Sequence, residues 1–273
     1  MPAEEAGSPV TFENPLKKML AAGKAVIGPT ITVPSVETAS QVAAMGFDFL
    51  WIEMEHGPIT LESLRAIVLA TRGLQAVPIT RVPVNELWTA KRVLDAGSLG
   101  VIFPFCSTPE LARQAVAACK YPPHGLRGSG AGLATFRWPA PEGYYDFADN
   151  NVMVVVVIEQ EQALENIEAI AATPGIDVLF VGTSDLSFSM GYRGNSQHPR
   201  VQDALKRVVE VGKKNNKALG LPLRDPEQIK EYIEKGFQWF QITSELGLMA
   251  RGAHHILEPF GRESNALKKR QLY

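Results

Sequence analysis

The chain has 273 residues, 45% hydrophobic and 21% charged, with a net charge of -2 and an isoelectric point near 6.2. A chain of this length buries a substantial core, and one α/β barrel commonly reaches it, so a single domain over 1–273 is expected, with 1–14 and 263–273 as solvated tails. The near-neutral balance offers no basic field, which argues against nucleic acid or an anionic membrane as partner and in favour of small-molecule chemistry.

No apolar run approaches the roughly 20 residues needed to cross a bilayer. The opening MPAEEAGSPVTFENP lacks the cationic and apolar regions of a signal peptide, so the cytoplasm is the expected compartment. The two cysteines, Cys106 and Cys119, have no metal-like spacing and are read as reduced and without a catalytic role.

In chain order, an apolar, β-branched run over 25–33 ends at Pro34. Ser35 then caps a helix over 37–45 that Gly46 closes. The alternation repeats with strand 48–52 and helix 61–72, strand 76–81 and helix 86–96, and strand 99–103 and helix 108–120, which Pro122-Pro123 stops. A connection rich in glycine and aromatics, 125–150, precedes 152–158, the most apolar stretch of the chain and one suited to burial on both faces. Helix 163–172, strand 178–181, a loop over 182–199, helix 201–215, strand 218–222, helix 226–235, strand 239–243 and helix 246–257 complete eight units.

Eight β-then-α units with nearly continuous apolar strands predict an α/β protein of the closed parallel (β/α)8, or TIM, barrel type. A doubly wound open sheet is the alternative. Its GxGxxG turn after the first strand, and the acidic residue about 20 positions on, are both missing.

In such a barrel the chemistry gathers at the C-terminal ends of the strands. The residues there include Thr32, Glu53 with Glu55 and His56, Arg81, Phe105 with Cys106, Glu159, 182–185, 222–224, Thr243 and Ser244. No lysine ends a strand, which argues against Schiff-base chemistry, and no Ser or Cys nucleophile has a local elbow.

Glu159 and Asp185 follow neighbouring strands, which lie roughly 5 Å apart, so both carboxylates reach one cation. Two carboxylates without Cys or His make a hard, oxygen-rich site that leaves positions for water and substrate. That favours Mg²⁺ or Mn²⁺ over structural zinc, with Co²⁺ as an in vitro substitute. The plain structural reading is that each acid caps a helix or pairs with an arginine at the rim. His56 sits in a loop context beside Glu55 and Gly57-Pro58, which favours exposure. Arg81 ends its strand and presents a cationic fork suited to a carboxylate or an enolate oxygen, or to a salt bridge with Glu55. Asp95 closes its helix, where a carboxylate opposes the helix dipole unless it is paired, and a histidine would be a suitable partner.

The runs FLWIEMEHGP (49–58), LDAG (94–97), YPPHGLRG (121–128), Ile158-Glu159 and FVGTSDLS (180–187) closely resemble the HpcH/HpaI family of class II, metal-dependent pyruvate aldolases, to which 4-hydroxy-2-oxoheptanedioate aldolases belong. The motifs keep the family order from about Asn14 to Phe260. The resemblance implies that Glu159 and Asp185 bind the metal and that Arg81 holds the oxygen that becomes the enolate. It also implies that His56, oriented by Asp95, forms the base dyad, and that the amides around Thr183, Ser184 and Asp185 receive the pyruvate carboxylate. Glu55 would lie just outside the metal's direct ligands. Retro-aldol cleavage of a 4-hydroxy-2-oxo acid to pyruvate and an aldehyde, in a homohexamer, is the implied activity.

One position departs from the family pattern. Where many members carry a glutamine two residues before the metal-binding glutamate, this chain has Val157, which removes a hydrogen bond to the keto acid. Arg127, Ser129 and 136–138 in the long connection are candidates for the acceptor pocket or a subunit contact. The alternative activities are those of citramalyl- or malyl-CoA-type lyases and of oxaloacetate-type decarboxylases, which need the same enolate stabilisation.

Overall fold

The computed structural model describes residues 12–140 and 143–262. Its strands are β1 (Val26–Ile31), β2 (Phe49–Glu53), β3 (Val77–Arg81), β4 (Gly100–Phe103), β5 (Met153–Ile158), β6 (Val178–Val181), β7 (Ala218–Pro222) and β8 (Trp239–Ser244). They pair in sequence order, all parallel, and β8 returns to β1, so the sheet closes into the expected (β/α)8 barrel. Every residue of β5 is buried, as its apolar run requires.

The helices are α1 (Pro15–Ala21), α2 (Val36–Ala43), α3 (Leu61–Ala70), α4 (Leu87–Asp95), α5 (Pro109–Cys119), α6 (Ala134–Arg137), α7 (Tyr144–Asn151), α8 (Glu161–Glu165), α9 (Ile167–Ala171), α10 (Thr183–Ser189), α11 (Pro199–Lys214), α12 (Pro226–Glu234) and α13 (Glu245–Leu257). Short polar side chains start several of them. The Ser35 hydroxyl accepts from the Thr38 amide at 3.1 Å, and Asp225 accepts from the Glu227 and Gln228 amides.

Five segments differ from expectation, the first being α1, which forms where no element was expected. Residues 12–14 are not a tail: Asn14 exchanges hydrogen bonds with Asn151 at 2.6 and 2.7 Å, and the Phe12 ring lies 5.0 Å from Trp138. The remainder of the expected tails, 1–11 and 263–273, falls outside the described residues. The connection 125–150 contains α6 and α7, fixed by Trp138 Nε1–H donating to the Gly97 carbonyl at 2.7 Å. The helix expected over 163–172 is α8 and α9, broken at Asn166, whose side-chain amide turns to donate to the Ser107 carbonyl. The loop expected over 182–199 begins with α10.

Aromatic rings fill the lumen beneath the C-terminal rim. Phe49 of β2 stacks on Trp239 of β8 with centroids 4.1 Å apart, and Trp51 of β2 meets Phe180 of β6 at 4.8 Å. Because β2 and β6 stand on opposite sides of the barrel, the second pair bridges the lumen. Gly220 makes room for it, since a Cβ there would lie 2.7 Å from the Phe180 ring.

Candidate active site

Strand register sets the site. Glu53 and Arg81 are direct partners across β2 and β3, and Ile158 and Val181 across β5 and β6, so Glu159 and Gly182 leave the barrel side by side. Glu53 is buried and uses both oxygens. Its Oε2 accepts from Arg81 Nε at 2.7 Å, pairs with Arg81 NH2 at 2.6 Å and accepts from Trp51 Nε1–H at 3.1 Å. Its Oε1 accepts from the Glu55 and His56 amides at 2.7 and 2.9 Å. One carboxylate therefore fixes the Arg81 fork and the turn that carries His56. Arg81 NH1 also lies 3.0 Å from Glu55 Oε2, the salt bridge that the sequence offered as the structural alternative for this arginine.

Glu159 is buried, and its Oε1 accepts from the Phe105 amide at 2.7 Å. Phe105 holds a left-handed φ of 51°, costly for an aromatic residue, and the adjoining Cys106 amide donates to the Val157 carbonyl at 3.3 Å. Burial is the main cause that pushes the Glu159 carboxyl up to about 7; the Phe105 amide works against it, while the neighbouring charges of Glu55 and Asp185 add to it. Glu55 is raised as well, first by burial; Arg81 opposes this, and Glu53 and Asp185 reinforce it. Gly182 packs closely beside Glu159: a Cβ there would stand 3.0 Å from both Glu159 Cβ and Oε2, tighter than most side-chain contacts.

Glu53, Glu55, Glu159 and Asp185 thus share one mouth with the Arg81 guanidinium, which pairs with Glu53 and Glu55 and whose charge also acts on Glu159. A buried carboxylate driven to hold its proton, among further carboxylates, is a donor set that suits a hard divalent cation. Among the described residues, no three His, Cys, Asp or Glu side chains are gathered into a ready-made metal cage. Thr183, Ser184 and Asp185 form the first turn of α10, capped by Gly182 with no side-chain hydrogen bond. The first amides of a helix have no partner within it, and those of α10 open next to Glu159. Both thiols are buried and pushed up to about 12, which leaves them inert at neutral pH.

His56 and Asp95 are not brought together within one chain. His56 follows β2 at the C-terminal rim, 55% exposed, with Nε2 3.8 Å from Glu55 Oε2. Asp95 ends α4 just before β4 begins, hence at the opposite end of the barrel. There its Oδ1 pairs with NH2 of the buried Arg127 at 2.9 Å. It opens onto a groove of about 790 Å³ on the barrel's outer wall, which Arg65, Arg92 and Leu133 also line.

Sequence position placed Glu53 at a strand end without giving it a role. Its alternation with Trp51 was the available signal: in a strand, residues two apart share a face, so an acid beside an inward-facing indole had to find donors inside the barrel. Phe105 as the donor to Glu159 had no such signal, because a left-handed aromatic is not written in composition.

A family model described as HpcH/HpaI aldolase/citrate lyase matches residues 31–252. A 4-hydroxy-2-oxo-heptane-1,7-dioate aldolase of Escherichia coli is 34% identical over 258 residues, covering 94% of this chain and 98% of its own. A 5-keto-4-deoxy-D-glucarate aldolase of Salmonella arizonae is 33% identical over 249 residues, covering 91% and 97%. The crystal structure of a HpcH/HpaI aldolase/citrate lyase family protein from Burkholderia cenocepacia superposes with a TM-score of 0.84 at 33% identity, covering 91% of this chain and all of that one. With the closed barrel and these full-length matches in agreement, the chain belongs to the HpcH/HpaI aldolase/citrate lyase family of carbon–carbon lyases.

Proposed function

We propose that the chain is a class II aldolase that reversibly cleaves 4-hydroxy-2-oxo acids to pyruvate and an aldehyde, with a divalent ion, Mg²⁺ or Mn²⁺, held by Glu159 and Asp185. The observation that carries this reading is the carboxylate cluster around Arg81, in which Glu159 is buried and pushed up to about 7. Full-length similarity to two named aldolases favours aldol cleavage over the CoA-lyase and decarboxylase alternatives.

The bound ion would polarise the 2-oxo carbonyl as a Lewis acid and offset charge on the enolate. Arg81 presents its fork to the same oxygen, and Glu53 keeps that fork from turning away. The free amides at the start of α10, at Thr183, Ser184 and Asp185, receive the substrate carboxylate. His56, exposed at the mouth, takes the proton of the 4-hydroxyl as the C3–C4 bond breaks; the aldehyde leaves, and reprotonation at C3 yields pyruvate. Glu55 holds Arg81 from the outer side of this cluster.

Asp95 stands at the far end of its own barrel, so a His56–Asp95 pair requires a second copy of the chain. A homo-oligomer, hexameric by family resemblance, meets that requirement. Among the described residues, no helix is long and apolar enough to cross a membrane. The test is pyruvate release from 4-hydroxy-2-oxo acids with Mg²⁺ or Mn²⁺ added; turnover that a chelator abolishes supports the reading, and no turnover of any such acid rejects it.

A further inference from the structure

Trp51 ties together the parts of this site. Its Nε1–H donates to Glu53 Oε2 at 3.1 Å, the oxygen that also binds Arg81 Nε at 2.7 Å. The Arg81 guanidinium lies over the indole, 5.5 Å from its centroid. The same indole meets the Phe180 ring of β6 at 4.8 Å across the lumen, and both rings are buried. Phe180 lies two residues before Gly182 in the chain, so the brace reaches from the arginine side of the mouth to the side of Glu159 and α10.

From this we infer that Trp51 is a positioning residue for Arg81. Indole, Glu53 carboxylate and guanidinium form one unit, in which the ring supports the cation from below and its N–H sets the tilt of the carboxylate that grips it. A buried indole N–H needs an acceptor, and here the acceptor is the arginine's own anchor. The attraction of a cation to an aromatic face is stronger where water is excluded, so the buried ring helps hold the guanidinium in place. The inference rests on the reading of Arg81 as the group that receives the enolate oxygen. Displacement of such a group by about 1 Å costs on the order of 100-fold in rate.

The experiment follows deuterium exchange into the pyruvate methyl group by NMR, with Mn²⁺ present, for the wild type, Trp51→Phe, Trp51→Leu and Arg81→Ala. Calorimetric Mn²⁺ affinity and thermal unfolding are measured alongside. Trp51→Leu, which loses ring and N–H, is expected to lower the exchange kcat at least about 30-fold, with Mn²⁺ affinity within about twofold of wild type. Trp51→Phe, which keeps a ring, recovers part of that loss. A folded Trp51→Leu with exchange within about twofold of wild type overturns the inference, and so does a parallel loss of Mn²⁺ affinity, which marks a purely structural residue. Should the leucine variant not fold, Trp51→Phe decides alone, and undiminished exchange overturns the inference. Exchange that survives in Arg81→Ala instead removes the reading of Arg81, a result distinct from failure of the tryptophan's role.

Discussion

Glu53 holds Arg81 through Nε and NH2, at 2.7 and 2.6 Å from one oxygen, while its second oxygen takes the amides of Glu55 and His56. The two groups assigned to the enolate and to the proton therefore share one anchor. Glu53→Gln keeps the volume but replaces an acceptor oxygen with a donor, against a guanidinium or two amides that themselves donate. The expected loss in kcat is about 10- to 100-fold, with thermal stability reduced as well. Retro-aldol kinetics and thermal unfolding check this, and a variant within about threefold of wild type would remove the anchoring role.

Arg81→Ala is expected to lose at least about 100-fold in kcat, the cost of removing a main oxyanion donor. Arg81→Lys should not restore it. One ammonium cannot reproduce the fork that engages Glu53 and Glu55 together. Near-normal turnover by either variant contradicts the assignment.

The carboxyl of Glu159, up at about 7, ties cation binding to pH. The cation needs the carboxylate, so affinity for Mg²⁺ or Mn²⁺ should fall up to about tenfold per pH unit below 7. For stability the sign is the reverse. A folded-state value above the usual 4.5 means that the folded protein holds this proton more tightly than the unfolded chain. Its contribution, about 3 kcal/mol at most, is fully present below 4.5 and is lost as pH rises through 7. Metal-free protein should accordingly lose Tm between pH 5 and 8 through this group, the added ion should raise Tm more at pH 8 than at pH 6, and Glu159→Gln should flatten both trends.

Gly182→Ala would place a methyl 3.0 Å from Glu159 Cβ and Oε2 and 3.2 Å from Val157 Cγ1. The carboxylate has to move, and cation affinity is expected to fall at least about tenfold, as when the supports of a metal ligand are altered. Isothermal titration reads the change; unaltered affinity would show that Glu159 does not hold the ion in this orientation.

His56 and Asp95 at opposite ends of one barrel make a prediction about assembly. His56→Ala and Asp95→Ala should each be poorly active alone, and subunits of the two, unfolded and reassembled together, should regain activity in a fraction of their sites. No recovery in confirmed mixed oligomers argues that the pair does not form between copies.

The barrel was legible because burial on both faces writes strands as continuous apolar runs, and Ser35 marks a helix start with a side chain that caps it. Strand order alone then put Glu53, Arg81, Glu159 and Asp185 at one rim, since in a parallel barrel every strand ends at the same face. The segment 125–150 was not legible as α6 and α7, because its packing depends on distant partners such as Trp138 with the Gly97 carbonyl. The start of α10 was hidden for a similar reason: a seven-residue helix with no side-chain cap leaves little periodicity to read.

Sequence by itself determined which residue types reach the mouth and in what order. Tertiary structure decided their partners: Arg81 is gripped by Glu53 and underlaid by Trp51, Glu159 is oriented by the amide of a left-handed Phe105, and Asp95 is given to Arg127 at the other end of the barrel. The physical reason is that a strand's period fixes the face and end from which a side chain emerges, whereas hydrogen bonds and buried charges are settled by whatever donors and ions the closed barrel brings within about 3 Å.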